Sequence, residues 1–460
     1  MSREYAAFLA AKAQANTGSG FDPHDLPEHL FPFQRELVEW AVRQGRAAIF
    51  ADCGMGKTPM ELAWAQSVHE HTGKPVLLLT PLAVGFQIIT EAQKFGHDAA
   101  QSRTGKPTAP ITVTNYEQAH KFSPADYGGI VCDESSAIKS FEGETRSVVT
   151  ELMRTMPYRL LGTATAAPND YLELGTSSEA LGELGYTDML TRFFTNNTRT
   201  VTNRSNFAAG GRDVGWRFKG HAEEPFWRWV SSWARAIRKP SDYGYSDDGF
   251  DLPALTYRTH VVEATTPREG TLFDVPAVGL SEEREELRRT LTERCEQAAD
   301  LLSGASNGVA WCHLNAESEL LTSLIDGAVE VAGSDATDEK EEKLAAFSRG
   351  EIRVLVTKPV IGAWGLNWQH ANRMTYFPSH SYEQHYQAVR RMWRFGQTQP
   401  VTVDMVTTRG GEAVLANLKR KAAQADQMFD ALLGHMTNAL TVQRRNDHTT
   451  PMEVPAWLAS

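Results

Sequence analysis

Twice along its length this sequence alternates short apolar runs with segments of helical spacing, and that repeat restricts the fold more than any other feature. In the first half the runs are Ala47–Ala51, Val76–Thr80, Ile111–Thr114, Ile130–Cys132 and Arg159–Gly162, with Pro59–His69 and Thr145–Arg154 among the helix-like stretches between them. In the second half they are Val309–His313, Val329–Val331, Arg353–Thr357, Met374–Phe377 and Val401–Val406. Apolar runs joined by helical crossovers indicate strands buried on both faces of a parallel sheet. Two such sets predict two α/β domains, and 460 residues is more chain than one core ordinarily organises.

From about Thr191 to Asp300 the alternation fails. Residues 191–240 carry ten Lys or Arg against three acids, while the whole chain has a formal charge of −11. Phe207, Trp216, Phe218, Phe226, Trp227, Trp229 and Trp233 are interleaved with these cations. Two readings stand side by side: arginines on phosphates with aromatics on bases or sugars, or a helical insertion whose Trp residues form their own core. Ser241–Asp251, rich in Gly, Asp, Ser and Tyr, reads as a loop. Ser281–Leu302 reads as one charged amphipathic helix leading into the second domain.

Bulk properties exclude some classes. No run approaches the roughly 18 apolar residues of a membrane span, and residues 1–18 lack the basic start and apolar core of a signal peptide. Cys53, Cys132, Cys295 and Cys312 form no CxxC pair, so a reduced cytoplasmic setting without structural zinc is expected. The net negative charge argues against a surface that coats nucleic acid throughout, though not against one basic cleft.

Ala51-Asp-Cys-Gly-Met-Gly-Lys-Thr58 follows the first strand-like run and opens a helix-like one. The spacing is G-x-x-x-x-G-K-S/T with Ala51 at the first glycine position. Asp52, Cys53, Gly54, Met55 and Gly56 then form a loop in which Gly54 and Gly56 let backbone N–H groups curl around phosphate oxygens. Lys57 would place a point charge on the β- and γ-phosphates, Thr58 a hydroxyl on Mg²⁺, and the helix N-terminus a favourable field. Pro59 suits the first helical turn. Alone, this loop implies only a nucleotide-binding enzyme. Asp133 and Glu134 end the fourth apolar run. At a strand terminus they would project into the crevice where open α/β sheets bind ligands, Asp133 to hold the metal and Glu134 to polarise an attacking water.

From about Leu30 to Thr408 these residues resemble superfamily-two helicases, in particular the Swi/Snf-like branch of DNA translocases. Gln34 in Leu30-Phe-Pro-Phe-Gln34 stands where that family's adenine-reading Q motif would be. Leu79-Thr80-Pro81 and Thr114-Asn115-Tyr116 look like motifs Ia and Ib, which implies a nucleic-acid path over Thr80, Pro81, Thr114 and Asn115. Asp133-Glu-Ser-Ser-Ala-Ile-Lys139 is similar to D-E-A-H-x-L-K with Ser136 in place of histidine. Thr163-Ala164-Thr165 stands for T-G-T, with Asn169 and Glu173-Leu174 on pattern. Gly362-Ala-Trp-Gly365-Leu-Asn367 resembles motif V, and Gln387-Ala-Val-Arg-Arg391-Met-Trp-Arg394-Phe-Gly-Gln397 fits Q-A-x-x-R-x-x-R-x-G-Q at all six specified positions. On a helix Arg391 and Arg394 would share one face, as two guanidinium groups that stabilise charge on a breaking phosphoryl bond.

The resemblance implies two tandem RecA-like domains of the P-loop, helicase type, with a helical insertion between them. The expected division is an extension over 1–30, an ATP-binding domain over 31–190, a basic Trp-rich insertion and linker over 191–300, a second domain over 301–435 and a tail over 436–460. Gln34 and Ala51–Thr58 would hold ATP, with Thr58 and Asp133 on Mg²⁺. Lys57, Glu134, Arg391 and Arg394 would be catalytic, while Thr163, Thr165, Gly362, Gly365 and Gln387 would couple the site to movement. A compact monomeric motor on DNA is expected, of bacterial or phage type, with duplex favoured, RNA an alternative, no membrane, and a protein partner that could supply specificity. A catalytically idle binding module and a small-molecule NTPase are competing readings. The first would show decay at Lys57, Glu134 or the arginines, and all are present. The second leaves the Gly362 and Gln387 motifs unexplained.

Overall fold

The computed structural model describes residues 19–140, 144–167, 170–196, 216–265, 280–362 and 367–445. Nine strands lie in its first half: β1 (Arg46–Ala51), β2 (Val76–Thr80), β3 (Ala99–Gln101), β4 (Ile111–Asn115), β5 (Gly129–Asp133), β6 (Tyr158–Thr163), β7 (Phe194–Asn196), β8 (Trp216–Phe218) and β9 (Ala234–Ile237). Six follow: β10 (Leu255–Val262), β11 (Gly308–Trp311), β12 (Ala328–Val331), β13 (Val354–Thr357), β14 (Arg373–Tyr376) and β15 (Val401–Thr408). Among the described residues thirteen of these build two large sheets, in the orders β3-β4-β2-β5-β6-β1-β9 and β10-β15-β14-β11-β13-β12, while β7 and β8 pair with each other. Every strand pairing in both is parallel. The expected pair of parallel α/β domains is the architecture observed.

Period-two alternation explains the burial of the first sheet. Phe50, Leu77, Leu79 and Ile130 point to one face, and Ile49, Leu78 and Val131 to the other; each face carries its own apolar core. The second sheet behaves alike, with Val309, Leu355 and Val403 on one side and Ala310, Val354 and Val356 on the other. Because both faces are covered by helices, the free ends of the strands are where side chains can meet ligands.

The segment between the sheets is not a separate body. β9 pairs with β1, and the preceding helix Glu223–Trp233 buries Phe226, Trp227, Val230 and Trp233 in the first domain's core. Its buried tryptophans therefore serve as core, but as part of the first domain's core and not of one of their own. Arg235 within β9 is also buried; its guanidinium lies 4.6 Å over the Trp40 ring and donates to the Ser231 carbonyl. The expected single helix over Ser281–Leu302 is two, Leu280–Arg289 and Leu291–Leu302. Thr290 interrupts it, with ψ 16° and a hydroxyl that donates back to the Glu286 carbonyl at 2.6 Å, a bond that competes with regular helix.

The last described helix, Glu412–Arg445, links the domains. Leu415, Leu418 and Ala425 pack in the second domain's core, whereas Met428, Phe429, Leu432 and Met436 pack in the first. Arg238 bridges to Asp426 at 3.1 Å and Asp430 at 2.9 Å, but both acids are largely exposed. Such surface pairs contribute up to about 1 kcal/mol each, against roughly 1.5–3 kcal/mol for each fully buried large apolar side chain. Apolar burial is what fastens this helix across the two domains. Among the described residues no helix is long and apolar enough to cross a membrane.

Candidate active site

β1 delivers the chain into the Ala51–Thr58 loop, and two glycines shape it. Gly54 has φ 95° and Gly56 φ 76°, left-handed values that L side chains rarely adopt. A Cβ on Gly56 would also fall 2.1 Å from Gln34 Nε2, and one on Gly54 would fall 3.0 Å from Phe395 Cβ. The loop is thus packed from below by Gln34 and from the second domain by Phe395. Gln34 is buried; its Oε1 accepts from Phe31 N at 3.0 Å and its Nε2 donates to the Met55 carbonyl at 2.9 Å. It ties the entry helix Pro32–Gln44 to the loop.

The helix Lys57–Thr72 starts directly behind Gly56. Lys57 Nζ lies 3.0 Å from Asp133 Oδ1 and 2.5 Å from Glu134 Oε1, both at the end of β5. Burial works against the charge of Lys57, yet the Asp133 and Glu134 carboxylates hold its pKa above the usual lysine value. Burial pushes the Glu134 carboxyl upward, with Lys57 pulling the other way. Thr80 Oγ1 donates to Asp133 Oδ2 at 2.9 Å, and the Tyr116 hydroxyl to the Asp133 carbonyl at 2.6 Å. Glu134 sits at φ 49°, the one non-glycine at positive φ among the described residues. A left-handed backbone in a bulky residue is strained, and such positions cluster at functional sites.

Behind this pair, Thr163 Oγ1 stands 3.4 Å from Glu134 Oε2 and 3.4 Å from Ser136 Oγ, and Thr165 Oγ1 is also 3.4 Å from Ser136 Oγ. These hydroxyl contacts are longer than a well-formed O–H···O bond. They nevertheless join β5 to β6 at the positions expected to couple the site to movement.

The second domain meets the first at the same edge, through Arg390 and Tyr386, which the sequence did not single out, and Asp52, which it did. Arg390 Nη2 lies 2.7 Å from Asp52 Oδ2, and the Tyr386 hydroxyl donates to Asp52 Oδ1. Asp52 Oδ1 also accepts from Cys53 N at 2.7 Å. Arg390 is stacked over Trp393 at 4.4 Å and Tyr386 at 5.2 Å. Asp52 was expected in the loop that would hold the nucleotide; its carboxylate is engaged across the interface. The available sequence signal was an acid inside the phosphate loop and an extra arginine beside Arg391.

Arg391 is buried, with Nη2 2.7 Å from Gln387 Oε1 and Nε 3.2 Å from the Gln387 carbonyl. Burial lowers its pKa to about 10, while Cys53 and Glu134 of the first domain favour its charge. The expectation that Arg391 and Arg394 share a helical face is corrected here. The helix is Tyr382–Arg390, Arg391 is its C-cap, and Arg394 lies in the turn beyond. Beyond the helix, Gln397 donates from Nε2 to the Met392 and Ala371 carbonyls, and Gly396 sits at φ 91°.

Of the other expected residues, Ala51 and Met55 are buried, and Cys53 and Thr58 are partly exposed. Gly362 is buried where a Cβ would press on Thr357 and Trp368; Gly365 and Asn169 lie outside the described residues. Thr80 and Thr114 are buried, and the Asn115 side chain caps the next turn by accepting from Gln118 N. Pro81 is partly exposed. Glu61, not anticipated, sits one helical turn after Lys57 and is buried without a hydrogen-bond partner among the described residues. Burial first, then repulsion from Asp133, raises its pKa well above the usual carboxylate value, with Lys57 acting against the shift. Its room comes from Gly162, where a Cβ would fall 1.8 Å from Glu61 Oε1.

The glycine-shaped loop, the helix N-terminus behind it, the Lys57 ammonium and the Asp133 carboxylate together suit a nucleoside triphosphate and a divalent cation. Thr58 and Asp133 are the groups that would hold the cation. No family model matches the sequence, and no curated protein does. Among solved structures the chain is similar to a Sulfolobus solfataricus SWI2/SNF2 ATPase core in complex with dsDNA, with a TM-score of 0.41 and 17% identity over 84% of this chain and 90% of that one. At that level of similarity any functional reading rests on the side chains of this chain.

Proposed function

We propose that this chain is an ATP hydrolase of the Swi/Snf-like helicase type, coupling hydrolysis between its two α/β domains to movement along DNA. The observation that carries the reading is the convergence of groups from both domains on one strand edge. Lys57, Asp133 and Glu134 come from the first domain, and Arg390, next to Arg391 in the second, reaches Asp52 of the phosphate loop at 2.7 Å.

The roles follow from chemistry. Lys57 exchanges its carboxylate partners for the β- and γ-phosphates of ATP, which carry more charge. Thr58 and Asp133 would hold a Mg²⁺ ion, which would neutralise phosphate charge when bound. Glu134, freed from Lys57, orients the attacking water as general base. Arg391 leaves Gln387 to stabilise charge developing on the transferred group, with Arg394 beside it; groups of this kind are worth on the order of 10³–10⁵ in rate. ATP therefore favours the arrangement in which the domains are pressed together, and product release relaxes that bias.

ATP turnover measured alone and with duplex DNA, single-stranded DNA or RNA tests this reading. Stimulation by DNA is expected. No turnover under any condition would leave the idle-module reading, and stimulation by RNA alone would replace DNA with RNA.

A further inference from the structure

Sheet order fixes which side of the phosphate loop is left for the rest of a nucleotide. β6 and β5, with Asp133 and Glu134 at the end of β5, lie on one side of β1, and β9 lies on the other. A terminal phosphate would face the carboxylates, so the nucleoside end has to leave toward β9. That strand ends at Ile237, whose carbonyl accepts from Asp52 N at 2.9 Å. The linker between the domains therefore starts against the phosphate loop itself.

This linker is not slack. Asp242 Oδ2 accepts from Arg238 N at 2.7 Å and Lys239 N at 3.0 Å, and Asp247 Oδ1 from Ser241 N at 2.8 Å. The Tyr245 hydroxyl donates to Glu36 Oε2 on the entry helix at 3.0 Å, and the Pro253 carbonyl accepts from Trp393 Nε1 at 2.7 Å. Between these two anchors, Phe250 meets Phe31 at 5.0 Å and Phe33 at 5.4 Å in the first domain. It meets Phe395 of the second at 5.1 Å, the residue that stands against Gly54. Gln34, below Gly56, is only 4% exposed and already committed to Phe31 N and the Met55 carbonyl. The nucleoside end of the loop is closed by the chain's own rings.

We propose that residues 240–253 form an autoinhibitory strap, in which Phe250 fills the place of the nucleobase and has to part from Phe395 before a nucleotide can seat. The proposal rests on the nucleotide-binding reading above and adds a gate to it. Phe31 and Phe395 are 45% and 40% exposed, so water already reaches the two rings that Phe250 bridges between the domains. Edge and tilted ring contacts of this kind are favourable beyond the area they bury. Only the chain with its strap lifted takes a nucleotide, so apparent affinity is reduced by the fraction that is lifted. The same linker carries the contact between Trp393 and Pro253, which ties release of the strap to the turn that follows Arg391.

Isothermal titration calorimetry of the full chain with a non-hydrolysable ATP analogue, and separately with inorganic tripolyphosphate, tests it. The second probe has the phosphates and no base. Circular dichroism verifies that each variant folds. Phe250→Ala should bind the analogue about two- to tenfold more tightly than the wild type, and tripolyphosphate equally well. Tyr245→Phe, which frees the strap from Glu36, should shift the analogue in the same direction by a smaller factor, and Phe250→Tyr should stay near the wild type. Weaker analogue binding in Phe250→Ala would overturn the strap, because the ring would then serve as a surface for the base. Unchanged analogue binding would overturn it too, leaving the linker a structural tie. Equal gains for both probes would overturn the nucleobase assignment. Failure of both the wild type and Phe250→Ala to bind either probe would instead overturn the nucleotide reading on which the proposal rests.

Discussion

Asp52 and Arg390 lie 338 residues apart in the chain and 2.7 Å apart in space. Their side chains keep only 15% and 11% of their exposure, so the phosphate loop is tied to the second domain by a largely enclosed ion pair. The loop that would receive phosphate is therefore also a contact by which the two domains sense each other.

Removing either partner leaves the other charge uncompensated in a site shielded from water, a costly arrangement. Asp52→Asn and Arg390→Gln should each destabilise the chain, and the double variant should fall short of their sum by about 0.5–3 kcal/mol, as for side chains in contact. Urea unfolding of the four species measures this coupling. Small-angle scattering should show either single variant more extended than the wild type. Strict additivity with no change in dimensions would mean that the pair does not hold the interface.

Glu134→Gln keeps the shape of the side chain and removes the base. It should still bind ATP while turnover falls by about 10²–10⁴, as read by nucleotide-binding fluorescence and phosphate release on one preparation. Because Lys57 would lose one of two carboxylate partners, ATP binding should be no weaker than in the wild type. Normal turnover would place the general base elsewhere.

His385 gives the fold a pH dependence. It is buried between the Tyr257 and Tyr376 rings, at 5.7 and 5.0 Å, and burial lowers its pKa to about 4. Unfolded, it would titrate near 6.5. The unfolded chain thus binds the extra proton first: the stabilisation is complete above about pH 6.5 and is lost as pH falls toward 4, by up to about 1.4 kcal/mol per unit. Urea unfolding at pH 7 and pH 5 should show a loss of about 2 kcal/mol from this residue, and His385→Phe should remove that share of the slope. Equal slopes would show that the imidazole is hydrated in the folded protein.

In the second domain, Arg294 Nη1 meets Glu317 Oε1 at 2.7 Å with both side chains almost fully buried. Glu317 Oε2 also accepts from His313 N and Leu314 N, which fixes the start of the helix Asn315–Leu324. Arg294→Met should cost about 3–5 kcal/mol, because it strands a buried carboxylate. Glu317→Gln should cost less, since its amide oxygen can still accept at the helix start. Thermal unfolding that ranks these variants in the opposite order would contradict this account of the pair.

Most of the architecture was legible because strands buried on both faces must be apolar throughout, and the runs ending at Ala51, Thr80 and Thr357 match observed strands. The runs did not include β3, β7, β8, β9 or β10, and for two of these the physical reason is visible. β9 reads Ala-Arg-Ala-Ile, and only its burial beneath Trp40 explains a strand with an arginine in its middle. β10 holds the sheet's edge with exposed Tyr257 and Val261, so it lacks the signature of an enclosed strand. In the site, Lys57, Asp133 and Glu134 were readable from local spacing. The Asp52–Arg390 pair was not, because it depends on how two separately folded sheets dock. The Arg391–Arg394 face failed for a local reason: the helix ends at Arg390, and the two arginines follow as its C-cap and a bend.

The central claim is a single site assembled from two domains, and Arg391→Ala tests it most directly. ATP hydrolysis by this variant and the wild type should be measured with and without DNA, alongside ATP affinity. DNA-stimulated turnover is expected in the wild type, and in Arg391→Ala a loss on the order of 10³ or more with ATP affinity largely kept. Undiminished turnover in Arg391→Ala would contradict it, because the first domain would then hydrolyse ATP without the second.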